Sequence, residues 1–180
     1  MESTAIYFMA ILFFTFLSCN NSSKDTIPKV QEAARNNPVD SSTQKKTILF
    51  FGNSLTAGYG VDPSEAYPAL IQEKIDSLHL NYKVINAGVS GETTSDGNSR
   101  VDWILKQPVD IFVLELGGND GLRGIPLSVT EKNLQAIIDK VKAKYPGSKI
   151  ILEGIQIPPN MGQDYTTQFR KIYPQLASKN

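Results

Sequence analysis

The sequence has little of what metal centres, disulfide frameworks and nucleic-acid surfaces require. Its 180 residues include one cysteine, one histidine and one tryptophan, and 18 basic residues balance 18 acidic ones. A single cysteine excludes an internal disulfide framework, and without a Cys/His cluster we expect no zinc or iron–sulfur site. Balanced charge provides no electrostatic basis for binding nucleic acid. We therefore expect neither a metal nor a nucleic-acid partner.

The chain also lacks a phosphate-binding loop. Neither G-x-x-x-x-G-K-[ST] nor G-x-G-x-x-G follows the apolar run at residues 47–52, the first predicted strand, which disfavours a nucleotide-binding sheet. What is present is an ordinary globular composition, 41% hydrophobic and 20% charged. That composition suits one domain with its own core.

The N-terminal sequence is typical of an export signal: MESTAIYFMAILFFTFLSC. Its apolar stretch, residues 5–17, has the length of a signal-peptide core and is short for a membrane span. FLSC resembles the lipobox of bacterial lipoproteins, in which the cysteine after the cut becomes lipidated. We predict a signal peptide over residues 1–19, lipidation at Cys19, and an exported protein anchored at the periplasmic or outer cell surface. The alternative is a plain secretory signal or signal anchor with an incidental cysteine.

Residues 20–46 are polar and rich in Asn, Ser, Lys and Pro, so they cannot bury enough apolar surface to order themselves. We predict a flexible tether here and a folded domain over residues 47–180. Within the domain, apolar runs alternate with segments of helical periodicity, and Ser128 with Glu131 forms a plausible capping box. This alternation predicts an α/β fold of three layers, with helices on both faces of a parallel, doubly wound sheet. The predicted strands are 47–52, 82–88, 109–118 and 148–158, and the predicted helices lie within 64–78, 94–106, 128–141 and 163–178.

Candidate chemistry follows the strand ends. Ligand sites of parallel sheets form beyond the carboxyl ends of the strands. There the chain offers the Ser54 hydroxyl at a helix start, the Gly91 N–H with no side chain in the way, and the Asn119 amide. A nucleophile and uncharged donors for a developing oxyanion are the requirements of acyl transfer. Each residue alone is more often structural, but their arrival in order on neighbouring strand ends indicates a site.

These loops also carry a resemblance. FFGNSLTAGYG, INAGVSGETTSDG, LELGGNDGLRG and QIPPNMGQDYTTQFRKIYPQLA resemble the SGNH (GDSL-type) hydrolases, in particular the bacterial thioesterase, arylesterase and lysophospholipase group. The resemblance implies a flavodoxin-like sheet and a monomeric serine esterase or thioesterase without a cofactor. By position, Ser54 matches the nucleophile. The Ser54 N–H, the Gly91 N–H and the Asn119 side chain match the oxyanion hole. The substrate would be a small acyl ester or thioester, with water as co-substrate.

Two departures qualify the resemblance. Asn53 stands where most members carry Asp; Asn keeps the size and one acceptor oxygen, so we expect tolerance with altered pH dependence. The family's catalytic Asp and His come from a D-x-x-H motif after a fifth strand, and the sequence has no such motif. The lone histidine, His79, is expected to be an exposed residue at a helix end.

Without this motif, Ser54 has no general base, so we expect weak activity or none. The domain is then expected to be C-terminally incomplete, missing its last strand and helix. Two explanations compete. One is a fragment of an ordinary serine hydrolase, and the other is a non-catalytic surface lipoprotein that binds acyl groups.

Overall fold

The computed structural model describes residues 44–180. The predicted signal peptide, the lipidation at Cys19 and nearly all of the predicted tether lie outside these residues. Lys46, the last residue of that tether, already belongs to the first strand. Within the described range, no helix is both long and apolar enough to cross a membrane.

Four parallel strands form one sheet in the order β2-β1-β3-β4. β1 is the longest and pairs with both β2 and β3, so it lies inside the sheet. Its apolar run KTILFFG is buried after its first residue apart from a half-buried Ile48, as is typical of a strand covered on both faces. The strands are β1 (Lys46–Gly52), β2 (Tyr82–Asn86), β3 (Ile111–Glu115) and β4 (Lys149–Leu152).

Helices cover both faces of the sheet, which confirms the predicted three-layer α/β architecture. Two of them are single turns at the carboxyl ends of strands β1 and β3. A 3-10 turn, Pro159–Met161, precedes the last helix. The helices are α1 (Ser54–Ala57), α2 (Tyr67–Ser77), α3 (Thr94–Ile104), α4 (Gly118–Leu122), α5 (Leu127–Lys144) and α6 (Gln163–Lys179).

The main core lies between the sheet and helices α3, α5 and α6. Alternate residues of the strands, including Phe51 and Phe112, point into it and are fully buried. The opposite face carries Phe50, which meets Tyr67 of α2 edge to face with ring centroids 5.4 Å apart. Right-handed crossovers explain this division, because the chain moves from β1 to β2 in one direction and from β2 to β3 and β4 in the other.

Three strand bounds and one cap are corrected by the structure. The fourth strand covers only Lys149–Leu152 instead of 148–158, the third covers Ile111–Glu115 instead of 109–118, and the second covers Tyr82–Asn86 instead of 82–88. The predicted capping box at Ser128 is wrong: α5 begins at Leu127 after Pro126, with no side-chain cap. The capping box lies instead at the start of α3, where Thr93 and Asp96 bond each other's backbone N–H groups.

Candidate active site

The strand order reverses at β1, and the carboxyl ends of β1 and β3 are neighbours there. Gly52 at the end of β1 pairs with Glu115 at the end of β3. The connections leaving these two ends diverge to opposite faces of the sheet, which opens a crevice between them. The predicted nucleophile and the predicted Asn donor each follow one of these strands.

Ser54 is the first residue of α1, directly after β1, and it is half-buried. Asn53 caps the helix by accepting a hydrogen bond from the Leu55 N–H at 2.9 Å. No described residue accepts a hydrogen bond from the Ser54 N–H, as expected for the first N–H of a helix. The Ser54 Oγ lies 3.5 Å from Asn53 Oδ1. The hydroxyl therefore faces a neutral acceptor, with a free N–H beside it.

Gly91 lies in the loop between β2 and α3, with φ at 82°. This left-handed conformation suits glycine, and the residue is exposed. Arg123, just after α4, donates a hydrogen bond to the Gly91 carbonyl at 3.0 Å. In the part of the chain that the structure describes, the Gly91 N–H has no acceptor. The peptide is therefore held from the carbonyl side of Gly91 while its N–H is free.

Asn119 is the second residue of α4, after the chain turns at Gly117 with φ at 114°. Its Nδ2 donates to the Glu92 carbonyl at 2.9 Å, which ties α4 to the Gly91 loop. An amide nitrogen carries two hydrogens, so the second can serve a ligand. The bonds from Asn119 and from Arg123 thus tie α4 to the loop that carries Gly91. Ser54 and Asn119 line the same groove, whereas Gly91 is not part of its lining.

That groove has a volume of about 270 Å³. Its polar residues are Asn53, Ser54, Asn119 and Gln156, and the remaining lining is glycine and apolar side chains. The groove wall formed by residues 155–158 was not predicted from the sequence, because the IQIP segment has the pattern of a continued strand. The only sequence signal was the pair of prolines that ends the segment. The apolar lining consists of Leu55, Leu122, Ile155, Ile157 and Pro158.

A larger cavity, about 450 Å³, lies between β4, α5 and α6. Leu152, Ile138 and Leu176 line it, and none of the predicted site residues does. We therefore place the candidate site in the smaller groove.

His79 is not part of this site. It is exposed, with φ at 54°, in the turn between α2 and β2. This turn lies at the amino ends of the strands, since the Lys46 N–H at the start of β1 bonds the Asn81 carbonyl. The length of β1 separates it from Ser54 by roughly 20 Å at about 3.3 Å per residue. The expectation of an exposed histidine at a helix end is confirmed. Of the residues 44–180, no histidine lines the groove.

Sequence reasoning also missed Glu115, the buried last residue of β3. Its carboxylate accepts hydrogen bonds from the Asn53 Nδ2 at 2.8 Å, the Asn53 N–H at 3.1 Å and the Thr56 hydroxyl at 2.9 Å. Burial raises the pKa of Glu115 above its ordinary value, and these hydrogen bonds partly offset the increase. Burial likewise raises the pKa of Glu153, and the charge of Glu115 raises it further. The register of β3 and β4 explains this proximity, because Leu114 pairs with Leu152.

Fold and groove together define a class: a parallel α/β protein with a serine at a helix N-terminus where the strand order reverses. The model of the GDSL-like lipase/acylhydrolase family matches residues 50–180. The chain belongs to that family.

Individual relatives agree with this assignment. Esterase TesA of Pseudomonas aeruginosa is 37% identical over 135 residues, which cover 74% of this chain and 66% of the relative. Thioesterase 1/protease 1/lysophospholipase L1 of Escherichia coli K12 is 42% identical over 134 residues, covering 74% of this chain and 62% of that protein. The crystal structure of AlinE4, an SGNH-hydrolase family esterase, superposes with a TM-score of 0.71 at 42% identity, covering 75% of this chain and 72% of AlinE4. The chain spans less than two thirds of the length of these curated relatives, 66% of one and 62% of the other.

Proposed function

We propose that this protein hydrolyses acyl esters or thioesters through an acyl-enzyme on Ser54. The observation that carries the proposal is the shared groove: Ser54 and Asn119 line one apolar cleft at the carboxyl edge of the sheet. The names of the relatives support it, since they include an esterase and a thioesterase.

In this mechanism the Ser54 Oγ attacks the carbonyl carbon and forms a tetrahedral intermediate. The bond from this carbon to the leaving oxygen or sulfur then breaks, and the hydroxyl proton leaves with the alcohol or thiol. Water attacks the resulting ester and returns Ser54 with a free carboxylic acid. The helix start at Ser54 contributes partial positive charge next to the developing oxyanion.

The oxyanion would be stabilised by three donors: the Ser54 N–H, the Gly91 N–H and the second Asn119 Nδ2 hydrogen. The two backbone donors have no acceptor in the described structure. The bond between Asn119 and the Glu92 carbonyl supports the orientation of the amide before substrate binds. Donors that need no rearrangement are the effective ones in such sites, where one alone contributes about 10² to 10³ in kcat.

The groove favours small acyl substrates. Its volume of about 270 Å³ lies just below the range of about 300–1,000 Å³ that is usual for small-molecule pockets. Leu55 and Leu122 line it with exposed fractions of 65% and 56%, so a bound acyl chain would cover them. We propose short acyl esters as better substrates than long-chain ones.

Catalysis by Ser54 also needs a base, and the neighbour of the hydroxyl is the neutral Asn53 amide. We therefore expect slow turnover that imidazole in solution accelerates, because the open groove admits a small base. The alternative, an acyl-binding lipoprotein without catalysis, predicts no Ser54-dependent turnover with or without imidazole.

The test is hydrolysis of p-nitrophenyl butyrate by the purified chain with increasing imidazole, next to Ser54→Ala and Ser99→Ala. Ser99 is an exposed helix serine on α3, so its variant should match the parent. Imidazole alone also hydrolyses this activated ester, so the protein-free rate is subtracted at each concentration. We expect the remaining rate to rise with imidazole in the parent and to be abolished by Ser54→Ala. Equal rates for the parent and Ser54→Ala at every imidazole concentration would refute an acyl-enzyme at Ser54.

We further propose that the protein is exported and held at the membrane by lipid on Cys19, and that it acts as a monomer. The apolar core of residues 5–17 and the FLSC ending support the first proposal.

A further inference from the structure

The turn that carries Gly91 is closed by a long backbone hydrogen bond. The Glu92 N–H donates to the Val89 carbonyl at 3.3 Å, and Gly91 lies inside this turn at positive φ. A bond of this length is weaker than the usual N–H to carbonyl bond of about 2.9 to 3.0 Å. The direction of the Gly91 N–H therefore depends on contacts that hold the Gly91 loop, residues 87–92, from outside.

Arg100 of α3 spans the Gly91 loop from its first residue to its last. Its Nε and one of its terminal nitrogens donate to the two carboxylate oxygens of Glu92, both at 2.6 Å. The same terminal nitrogen donates to the Ala87 carbonyl at 3.0 Å. The Arg100 side chain is 21% exposed and that of Glu92 is 4% exposed. Since the guanidinium is planar, this two-point pairing fixes the geometry of the loop as well as stabilising it.

Arg100 is itself held against the strand that leads to the nucleophile. Its guanidinium carbon lies 4.2 Å from the centroid of the Phe51 ring. A cation over the face of an aromatic ring is attracted to it. Phe51 is fully buried and belongs to β1, which ends just before Ser54. Arg100 therefore fixes the Gly91 loop relative to Ser54.

The main chain of Glu92 adjoins two of the three proposed oxyanion donors. The Gly91 N–H belongs to the residue before it, and the Glu92 carbonyl accepts the hydrogen bond from Asn119 Nδ2 at 2.9 Å. A shift of Glu92 would therefore misdirect the Gly91 N–H and the Asn119 amide together.

We propose that Arg100 and Glu92 are positioning residues of the oxyanion hole, because their ion pair fixes both the Gly91 N–H and the carbonyl that orients Asn119. This inference rests on the proposed ester hydrolysis. Neither side chain lines the groove, so the pair acts through the donors that it holds. Those donors bind the negative charge that develops in the transition state. Loss of the pair should therefore lower kcat and leave KM nearly unchanged.

The first test compares Glu92→Gln and Arg100→Met in the hydrolysis of p-nitrophenyl butyrate at a fixed imidazole concentration, with the protein-free rate subtracted. Each variant should lose about tenfold or more in kcat, with KM within about twofold of the parent. Asp102→Asn is the matched control. Asp102, also on α3, pairs with Lys140 at 2.9 Å and is 67% exposed. Its variant loses an acid from an ion pair of the same helix and should retain the parent kcat.

Thermal midpoints separate positioning from stability. Arg100→Met should lower the midpoint by about 5 to 15 °C and more than Glu92→Gln does, because it leaves a buried carboxylate without its partner. The double variant E92Q/R100M has no unpaired charge at this point, so its midpoint should lie above that of Arg100→Met. Its kcat should remain low, because nothing then spans the loop. A kcat that recovers with the midpoint, or parent values of kcat in both single variants, would refute the positioning role.

A further measurement does not depend on catalysis. The order parameter of the Gly91 N–H, obtained from nitrogen-15 relaxation, should be about 0.85 in the parent and below about 0.7 in Arg100→Met. Arg100 has no hydrogen bond to Gly91 in the described chain, so a change would be transmitted through Glu92 and Ala87. If the parent shows no Ser54-dependent turnover but this order parameter falls, ester hydrolysis fails and the fixing of the loop by Arg100 holds. An unchanged order parameter would overturn the inference, whether or not the protein is an esterase.

Discussion

At the scale of single residues, Gly91 allows the proposed oxyanion role to be separated from simple strain. Gly91 and Gly60 have nearly the same φ, 82° and 86°, and at neither would an added Cβ meet an atom within 4 Å. The two glycines thus offer the same backbone strain and the same free space. Only Gly91 has a proposed role in binding an oxyanion.

We predict that Gly91→Ala and Gly60→Ala each cost about 1 kcal/mol of unfolding free energy, because alanine is disfavoured at positive φ. Gly91→Ala should also lower kcat about tenfold or more, since a shifted peptide misdirects the N–H. Chemical denaturation and ester hydrolysis measure the two effects. Equal kcat values in the two variants would contradict a role for the Gly91 N–H.

At the scale of elements, the start of α3 supports the Gly91 loop. Thr93 and Asp96 form the capping box two and five residues after Gly91, and Thr93 is buried. The backbone and side-chain hydrogen bonds from Thr93 lower the pKa of Asp96. The stability from this carboxylate is therefore present above its unfolded pKa and is lost as the pH falls through the lower folded value.

We predict that Thr93→Ala lowers the unfolding free energy by about 1 kcal/mol, the usual effect of removing an N-cap. Ser128→Ala is the comparison, because the sequence around Ser128 predicts a helix cap and the structure shows no side-chain cap at the start of α5. It should stay within about 0.5 kcal/mol of the parent. Urea titration of both variants checks this, and a large loss in Ser128→Ala would contradict the observed start of α5.

The extent of each element was less predictable than its type. The buried face of α5 with Leu134, Ile137, Ile138 and Val141 is confirmed, because helical spacing is a local property of the chain. The predicted end of β4 was wrong. IQIP has a strand-like pattern, but the pairing of β4 with β3 ends at Leu152. Whether an apolar segment continues a strand depends on having a neighbour to pair with, which local spacing does not encode.

At the scale of the whole molecule, the acids at the carboxyl edge make stability depend on pH. The raised pKa of Glu153 comes from burial and from the charge of Glu115. A carboxyl group with a raised folded pKa contributes stability that is fully present below the unfolded pKa, near 4.5, and is lost as the pH rises through the folded value. The same sign holds for Glu115.

We predict that Glu153→Gln raises the unfolding midpoint at pH 7 by about 1 to 3 °C, because it removes a charge that the folded state disfavours. The gain should vanish near pH 4, where the carboxyl group is protonated in both states. Glu73→Gln, an exposed change on α2, should show no such trend. Thermal scans from pH 4 to 8 test this, and a gain that grows toward acid would contradict it.

The proposed lipid anchor on Cys19 would determine where the whole chain is located in the cell. In a bacterial host, Cys19→Ser should abolish incorporation of radiolabelled palmitate and move the protein from the membrane to the soluble fraction. The parent chain is the reference, and its Ser54→Ala variant should fractionate as the parent does. Membrane retention of Cys19→Ser would favour a signal anchor instead.

The sequence by itself determined the alternation of strands and helices and the positions of Ser54, Gly91 and Asn119 at strand ends, because these follow from hydrophobic spacing and from glycine-rich loops. Only the tertiary structure decided which strand ends are neighbours, that residues 155–158 wall the groove, and that Glu115 holds Asn53. The physical reason is the sequence separation over which each kind of interaction acts. Periodicity acts over three or four residues, whereas the contact between Asn53 and Glu115 spans 62 positions and exists only because β1 and β3 pair in parallel in one register.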